Sequence, residues 1–169
     1  VSAQVNDVAI VKVPLLPAPT FSIDVPAVLD ALANEPNIKL VYLCSPGNPT
    51  GSVLAKADVQ QILDHPTWNG VVVLDEAYID FAPDDASLAE WVTEFPNLVV
   101  MQTLSKAFGM AGIRLGAAFT SPPIARLLNS IMAHYNLSSP SSASTLHPHL
   151  AKGHSFIQPH LTRLLDNRN

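Results

Sequence analysis

Val71-Val72-Val73-Leu74-Asp75-Glu76-Ala77-Tyr78 is the stretch on which the fold turns. Four apolar residues run without a polar break and end on two carboxylates. An unbroken apolar run is the mark of a strand buried on both faces, as in parallel sheets covered by helices. Asp75 then stands at the mouth of that strand. Two further segments repeat the design. Lys39–Cys44 (KLVYLC) reads as a strand that ends in Ser45-Pro46-Gly47-Asn48-Pro49-Thr50-Gly51. Asn97–Gln102 reads as a strand that ends in Thr103-Leu104-Ser105-Lys106, with Arg114 eight residues past the lysine.

Helical patterns separate these strands. Ala55–Leu63 places Val59, Ile62 and Leu63 on one face, and Ser87–Phe95 reads as a short helix. Farther out, Asp24 precedes Val25-Pro26 as an N-cap, with Val28, Leu29 and Leu32 at helical spacing behind it. Val8–Val13 reads as a short strand closed by Pro14, Pro17 and Pro19. Leu115–Phe119 reads as another strand, followed by a helix from Pro122 to about Met132. Strand and helix in alternation predict an α/β domain with a mostly parallel sheet. Such sheets gather functional groups at the C-terminal ends of their strands. Asn48, Asp75, Ser105 and Lys106 all fall there.

The chain has 169 residues, of which 48% are hydrophobic and 14% charged. That is enough for one domain with its own core, and the low charge suits two-sided burial. A net charge of -5 argues against nucleic acid or an anionic membrane as partner. No apolar stretch approaches the roughly 20 residues of a membrane-spanning helix. The one cysteine, Cys44, has no internal partner, and no basic segment precedes an apolar run at the N-terminus. A reducing, cytoplasmic location is therefore expected.

Each candidate residue has an ordinary reading when taken alone. Asp75 could cap a turn. It could also hold magnesium as the carboxylate of a nucleotide hydrolase, but this sequence has no Gly-x-x-x-x-Gly-Lys-Ser/Thr loop. Lys106 could be a solvated surface group, Arg114 a partner in an ion pair, Asn48 a turn residue and Tyr78 a half-buried aromatic. Their order and spacing point elsewhere. A lysine in an otherwise apolar stretch is a candidate Schiff-base amine. A guanidinium among apolar residues needs an anion, and phosphate matches its fork. His147, His149, His154 and His160 lack cysteine partners and sit among prolines, so no metal site is expected.

CSPGNPTG, VVVLDEAYIDF and QTLSKAFGMAGIRLG, with IMAHYNLSSP as a weaker fourth, resemble the fold-type I pyridoxal-phosphate aminotransferases. The branch they match best is that of the histidinol-phosphate aminotransferases. The resemblance covers roughly residues 8 to 142. It implies the three-layer α/β/α large domain of that fold, incomplete at both ends, with pyridoxal 5'-phosphate as cofactor. It implies that Lys106 bonds to the cofactor and shuttles the proton between Cα and C4′. Asp75 would pair with the pyridine nitrogen, and Tyr78 and Asn48 would hydrogen-bond the phenolic oxygen. Ser105, Arg114 and Thr103 would hold the phosphate. The implied reaction passes an amino group between histidinol phosphate and 2-oxoglutarate or glutamate, in histidine biosynthesis, within a homodimer. Threonine-phosphate decarboxylases and aromatic aminotransferases share the same cofactor core. A non-catalytic truncated fragment is the other outcome the pattern allows.

Where the sequence departs from that family it does so in three ways. The family is about twice as long, so a phosphate-binding loop, a ring-stacking aromatic and a substrate-gripping arginine are expected outside this chain. His134 stands where a proline is expected. After Ser142, proline and histidine replace the family's helical sequence. The expected organisation is a partial cofactor-binding domain over residues 1–133, a linker over 134–145 and a divergent tail over 146–169.

Overall fold

The computed structural model describes residues 2–132 and 137. Its centre is a four-stranded sheet in the order β1-β2-β3-β4. The strands are β1 Leu40–Cys44, β2 Val71–Asp75, β3 Leu98–Thr103 and β4 Gly116–Thr120. β1, β2 and β3 are parallel, with Cys44 opposite Asp75 and Asp75 opposite Met101. β4 returns antiparallel to β3, pairing Thr103 with Gly116. The reason lies in the connection. A parallel crossover usually carries a helix that packs on the sheet. Between β3 and β4 there is only the three-residue 3-10 helix Ala111–Ile113.

The helices are α1 Ser2–Val5, α2 Val25–Asn34, α3 Lys56–Leu63 and α4 Pro122–Ile131. Asp24 caps α2 as its sequence predicts, accepting the Ala27 N–H at 3.1 Å, with proline in the first turn. α2 and α3 present Val25, Val28, Leu32, Val59, Ile62 and Leu63 to the sheet. There they join Val72, Leu74, Leu98 and Val100 in the core. Those four strand residues alternate with Val73, Asp75, Val99 and Met101, which face the opposite side of the sheet. On that side α4 runs beside β4, and Leu128 and Met132 line a groove with Met101, Gly116 and Ala118. This is an α/β arrangement with a mixed, mostly parallel sheet, as the alternating pattern predicts.

Two expectations change. Val8–Val13 joins no ladder and forms no strand; ahead of it lies the short helix α1. Val8, Ile10 and Val11 are all exposed. β-forming residues do not make a strand by themselves; packing and pairing decide it. Ser87–Phe95 folds not as an α-helix but as a 3-10 helix over Ala89–Thr93. Residues 134–145 and 146–169, with the linker, the tail and the four histidines placed in them, lie outside the described residues apart from Leu137.

One glycine is demanded by packing rather than by conformation. A Cβ on Gly70 would stand 2.2 Å from the Trp68 ring and 2.6 Å from the Lys39 carbonyl oxygen. That carbonyl accepts the Val71 N–H at 2.9 Å, so it cannot yield without opening the start of β2. Gly70→Ala is expected to destabilise the domain by about 1–3 kcal/mol, read as a lower urea midpoint. An unshifted midpoint would show that β1 and β2 separate easily at this end.

Candidate active site

The three parallel strands end side by side, and their terminal loops carry the site. After β1 the chain turns through Ser45–Gly51. Ser45 is buried, donates its N–H to the Asp75 carbonyl at 3.0 Å and accepts the Leu54 N–H on its hydroxyl at 3.0 Å. Gly51 closes the turn with φ 69°, a left-handed backbone that favours glycine. This pinned loop holds Asn48, whose Nδ2 donates to the Tyr78 hydroxyl at 3.1 Å.

β2 ends at Asp75. Its Oδ1 accepts the Ala77 N–H at 3.0 Å, and its Oδ2 accepts the Tyr42 hydroxyl at 2.6 Å. The next residue, Glu76, points the other way and is 1% exposed. Its carboxyl accepts from Leu88 N–H and the Ser87 hydroxyl, each at 2.7 Å, and from Gln102 Nε2 at 2.8 Å. Two adjacent acidic residues therefore have separate tasks, one on the open face and one in the core.

β3 ends at Thr103. The Thr103 hydroxyl accepts the Ser105 N–H at 3.2 Å, donates to the Leu115 carbonyl at 3.1 Å and lies 3.0 Å from Ser105 Oγ. Lys106 follows on an exposed turn, with its Nζ 5.2 Å from the centre of the Tyr78 ring. That distance is within the range of a cation–π contact. Arg114 is exposed, has φ 56°, and donates Nη1 to the Ala111 carbonyl at 3.0 Å.

The sequence-predicted residues thus fall into connected groups. Asn48, Tyr78 and Lys106 form one, and Thr103 with Ser105 another. Asp75 stands on the neighbouring strand end, bonded to Tyr42. Arg114 is folded back on its own turn. Two residues escaped the sequence reading. Tyr42 looked like one more apolar residue of a strand, and its meaning depends on the register that sets β1 against β2. Glu76 looked like part of the same acidic pair as Asp75, and only strand alternation separates them.

This donor set fits a phosphorylated aromatic cofactor. A carboxylate is available for a ring nitrogen, an amide and a phenol for a ring oxygen, and an amine for an aldehyde. Hydroxyls and a guanidinium are available for phosphate. The comparisons with known proteins agree. A family model for aminotransferase class I and II matches residues 1–166. The chain belongs to this family. It is 53% identical to histidinol-phosphate aminotransferase of Schizosaccharomyces pombe (strain 972 / ATCC 24843) over 146 residues, covering 86% of this chain and 38% of that protein. It is 43% identical to the Candida maltosa histidinol-phosphate aminotransferase over 171 residues, covering 100% and 43%. Among solved structures, histidinol-phosphate aminotransferase from Sinorhizobium meliloti, in complex with pyridoxal-5'-phosphate, superposes with a TM-score of 0.83 at 30% identity. That superposition covers 98% of this chain and 44% of the other. The chain therefore spans about two-fifths of the length of these relatives.

Two measurements probe the carboxyl pair. Partial burial, and then the charge of Asp75, raise the Cys44 thiol pKa. Asp75→Asn removes the second cause, lowers that pKa and leaves more thiolate at any pH below it. Iodoacetamide should then alkylate Cys44 about two- to fivefold faster at mildly alkaline pH. An equal rate would mean that the carboxylate does not reach the thiol. Glu76→Ala strands the buried Leu88 N–H and Gln102 amide. It should cost on the order of 2–4 kcal/mol in urea unfolding, and Glu76→Gln less, because one acceptor oxygen remains. Equal stability of Glu76→Ala and the unaltered protein would remove Glu76 from the structural role given to it.

Proposed function

We propose that this chain binds pyridoxal 5'-phosphate through Lys106 and supplies the cofactor wall of a histidinol-phosphate transaminase. The observation that carries the reading is that Tyr78 meets Asn48 at its hydroxyl and the Lys106 amine at its ring. It brings a phenolic-oxygen donor pair and a primary amine together at adjoining strand ends. When bound, the cofactor supplies an aldehyde for a lysine amine and a protonated ring that accepts the electron pair released at the substrate's Cα.

In this reading the chain's own residues bind, orient and move one proton. Asp75, fixed by Ala77 N–H, accepts the ring N–H. Asn48 Nδ2 and the Tyr78 hydroxyl donate to the ring oxygen and stabilise its anionic form. Ser105, Arg114 and, beside them, Thr103 hold the phosphate, with Arg114 exchanging its bond to Ala111 for the stronger charge-assisted one. The Lys106 amine would be the base that removes the proton at the substrate's Cα and returns it at C4′.

The substrate part of the proposal rests on the relatives' names at 53% and 43% identity. It assigns transfer of the amino group from histidinol phosphate to 2-oxoglutarate, which yields glutamate, and the reverse, in histidine biosynthesis. A homodimer in the cytoplasm completes the reading. No helix among the described residues is long and apolar enough to cross a membrane.

Incubation with pyridoxal 5'-phosphate, borohydride reduction and peptide mapping test it. The label is expected on Lys106, with a visible absorbance band before reduction, and Lys106→Ala is expected to lose both. Label spread over surface lysines, with no band, would overturn the cofactor assignment. Turnover of histidinol phosphate with 2-oxoglutarate decides the substrate. Cofactor binding without turnover would identify the chain as a binding fragment that needs the rest of the family's architecture.

A further inference from the structure

Tyr42 has no part in the roles assigned above, yet its hydroxyl makes a 2.6 Å bond to Asp75 Oδ2. The contact follows from register. Cys44 lies opposite Asp75, so Tyr42, two residues earlier, shares its face and is its diagonal neighbour across the ladder. A tyrosine is long enough to span that diagonal. The residue is otherwise 52% exposed, and its ring lies on the open face of the sheet beside Leu40 and Cys44.

We infer that Tyr42 is a positioning residue that aligns Asp75 for the protonated ring nitrogen of the cofactor. Its inference rests on the cofactor reading above. With Ala77 N–H on Oδ1 and Tyr42 O–H on Oδ2, each carboxyl oxygen holds one donor and the group cannot rotate freely. Each oxygen keeps a second lone pair, and a ring N–H can take one of them without displacing Tyr42. The two bonds hold the plane of the carboxylate, so its free lone pairs point to a fixed place for the ring N–H. Partial burial, the bond to Asp75 and the nearby charges all raise the Tyr42 pKa above its ordinary value. The phenol therefore remains a donor throughout the working pH range.

The test uses Tyr42→Phe, which keeps the ring on the sheet and removes only the hydroxyl. The dissociation constant for pyridoxal 5'-phosphate is measured for the unaltered protein, Tyr42→Phe, Asp75→Asn and the double variant. The pH midpoint of the visible absorbance band is followed alongside it. Tyr42→Phe is expected to weaken binding about two- to tenfold and to move the midpoint. In the Asp75→Asn background the same change should have no further effect, because Tyr42 acts through Asp75. Unchanged binding and midpoint in Tyr42→Phe, or an equal loss in both backgrounds, would overturn the inference while leaving the cofactor reading intact. Failure of the unaltered protein to bind the cofactor would overturn both.

Discussion

A buried carboxyl group organises this domain. Glu76 follows β2 directly and receives donors from three places: the Leu88 backbone, the Ser87 hydroxyl and the Gln102 amide of β3. A carboxyl this deep is tolerated only when its oxygens are satisfied. Once satisfied, it fixes what surrounds it. The end of β2 is tied to the end of β3, and the segment that leads into the 3-10 helix is tied to both. Asp75 stands one residue before this anchor, and Thr103 stands one residue after Gln102. The groups that face the site are thus set in place by bonds made in the core behind them.

Strand periodicity makes the arrangement stringent. Glu76 belongs with Val72 and Leu74 on the packed face, and Asp75 with Val73 on the other. A slip of one residue between β2 and its neighbours would exchange them. It would bury Asp75 without donors and expose valines and leucine now sealed under α2 and α3. Val72 and Leu98 are fully buried, and Leu74 nearly so, so the core resists that slip strongly. Stability and chemistry are therefore held by one register.

Much of this was legible in the sequence because it is local. Unbroken apolar runs disclosed β1, β2 and β3, and the residues just after them disclosed Asn48, Asp75 and Lys106. Asp24-Val25-Pro26 disclosed the start of α2. What escaped depended on partners distant in sequence. Val8–Val13 has the composition of a strand but pairs with none of the described strands. Ser87–Phe95 reads as a short helix, but its first residues bond to Glu76 and the helical part, Ala89–Thr93, is 3-10. Tyr42 is indistinguishable from a packing aromatic until β1 and β2 are aligned. The antiparallel return of β4 goes with a connection that holds a three-residue 3-10 helix in place of a crossover α-helix, a topological constraint rather than a property of the strand itself.

The same division explains why the cofactor is easier to read here than the substrate. A cofactor with a fixed ring asks for fixed groups at fixed separations, and three adjacent parallel strands supply that spacing through their ladder. Short loops then need only a residue or two each to reach it. Asn48 orients Tyr78, Tyr78 supports Lys106, and Asp75 is aligned from the strand beside it. A substrate that must enter, react and leave is better held by elements that can move relative to this rigid edge. The chain spans only about two-fifths of its relatives' length and concentrates its chemistry at one sheet edge. The groups proposed to meet the cofactor all stand on that rigid edge.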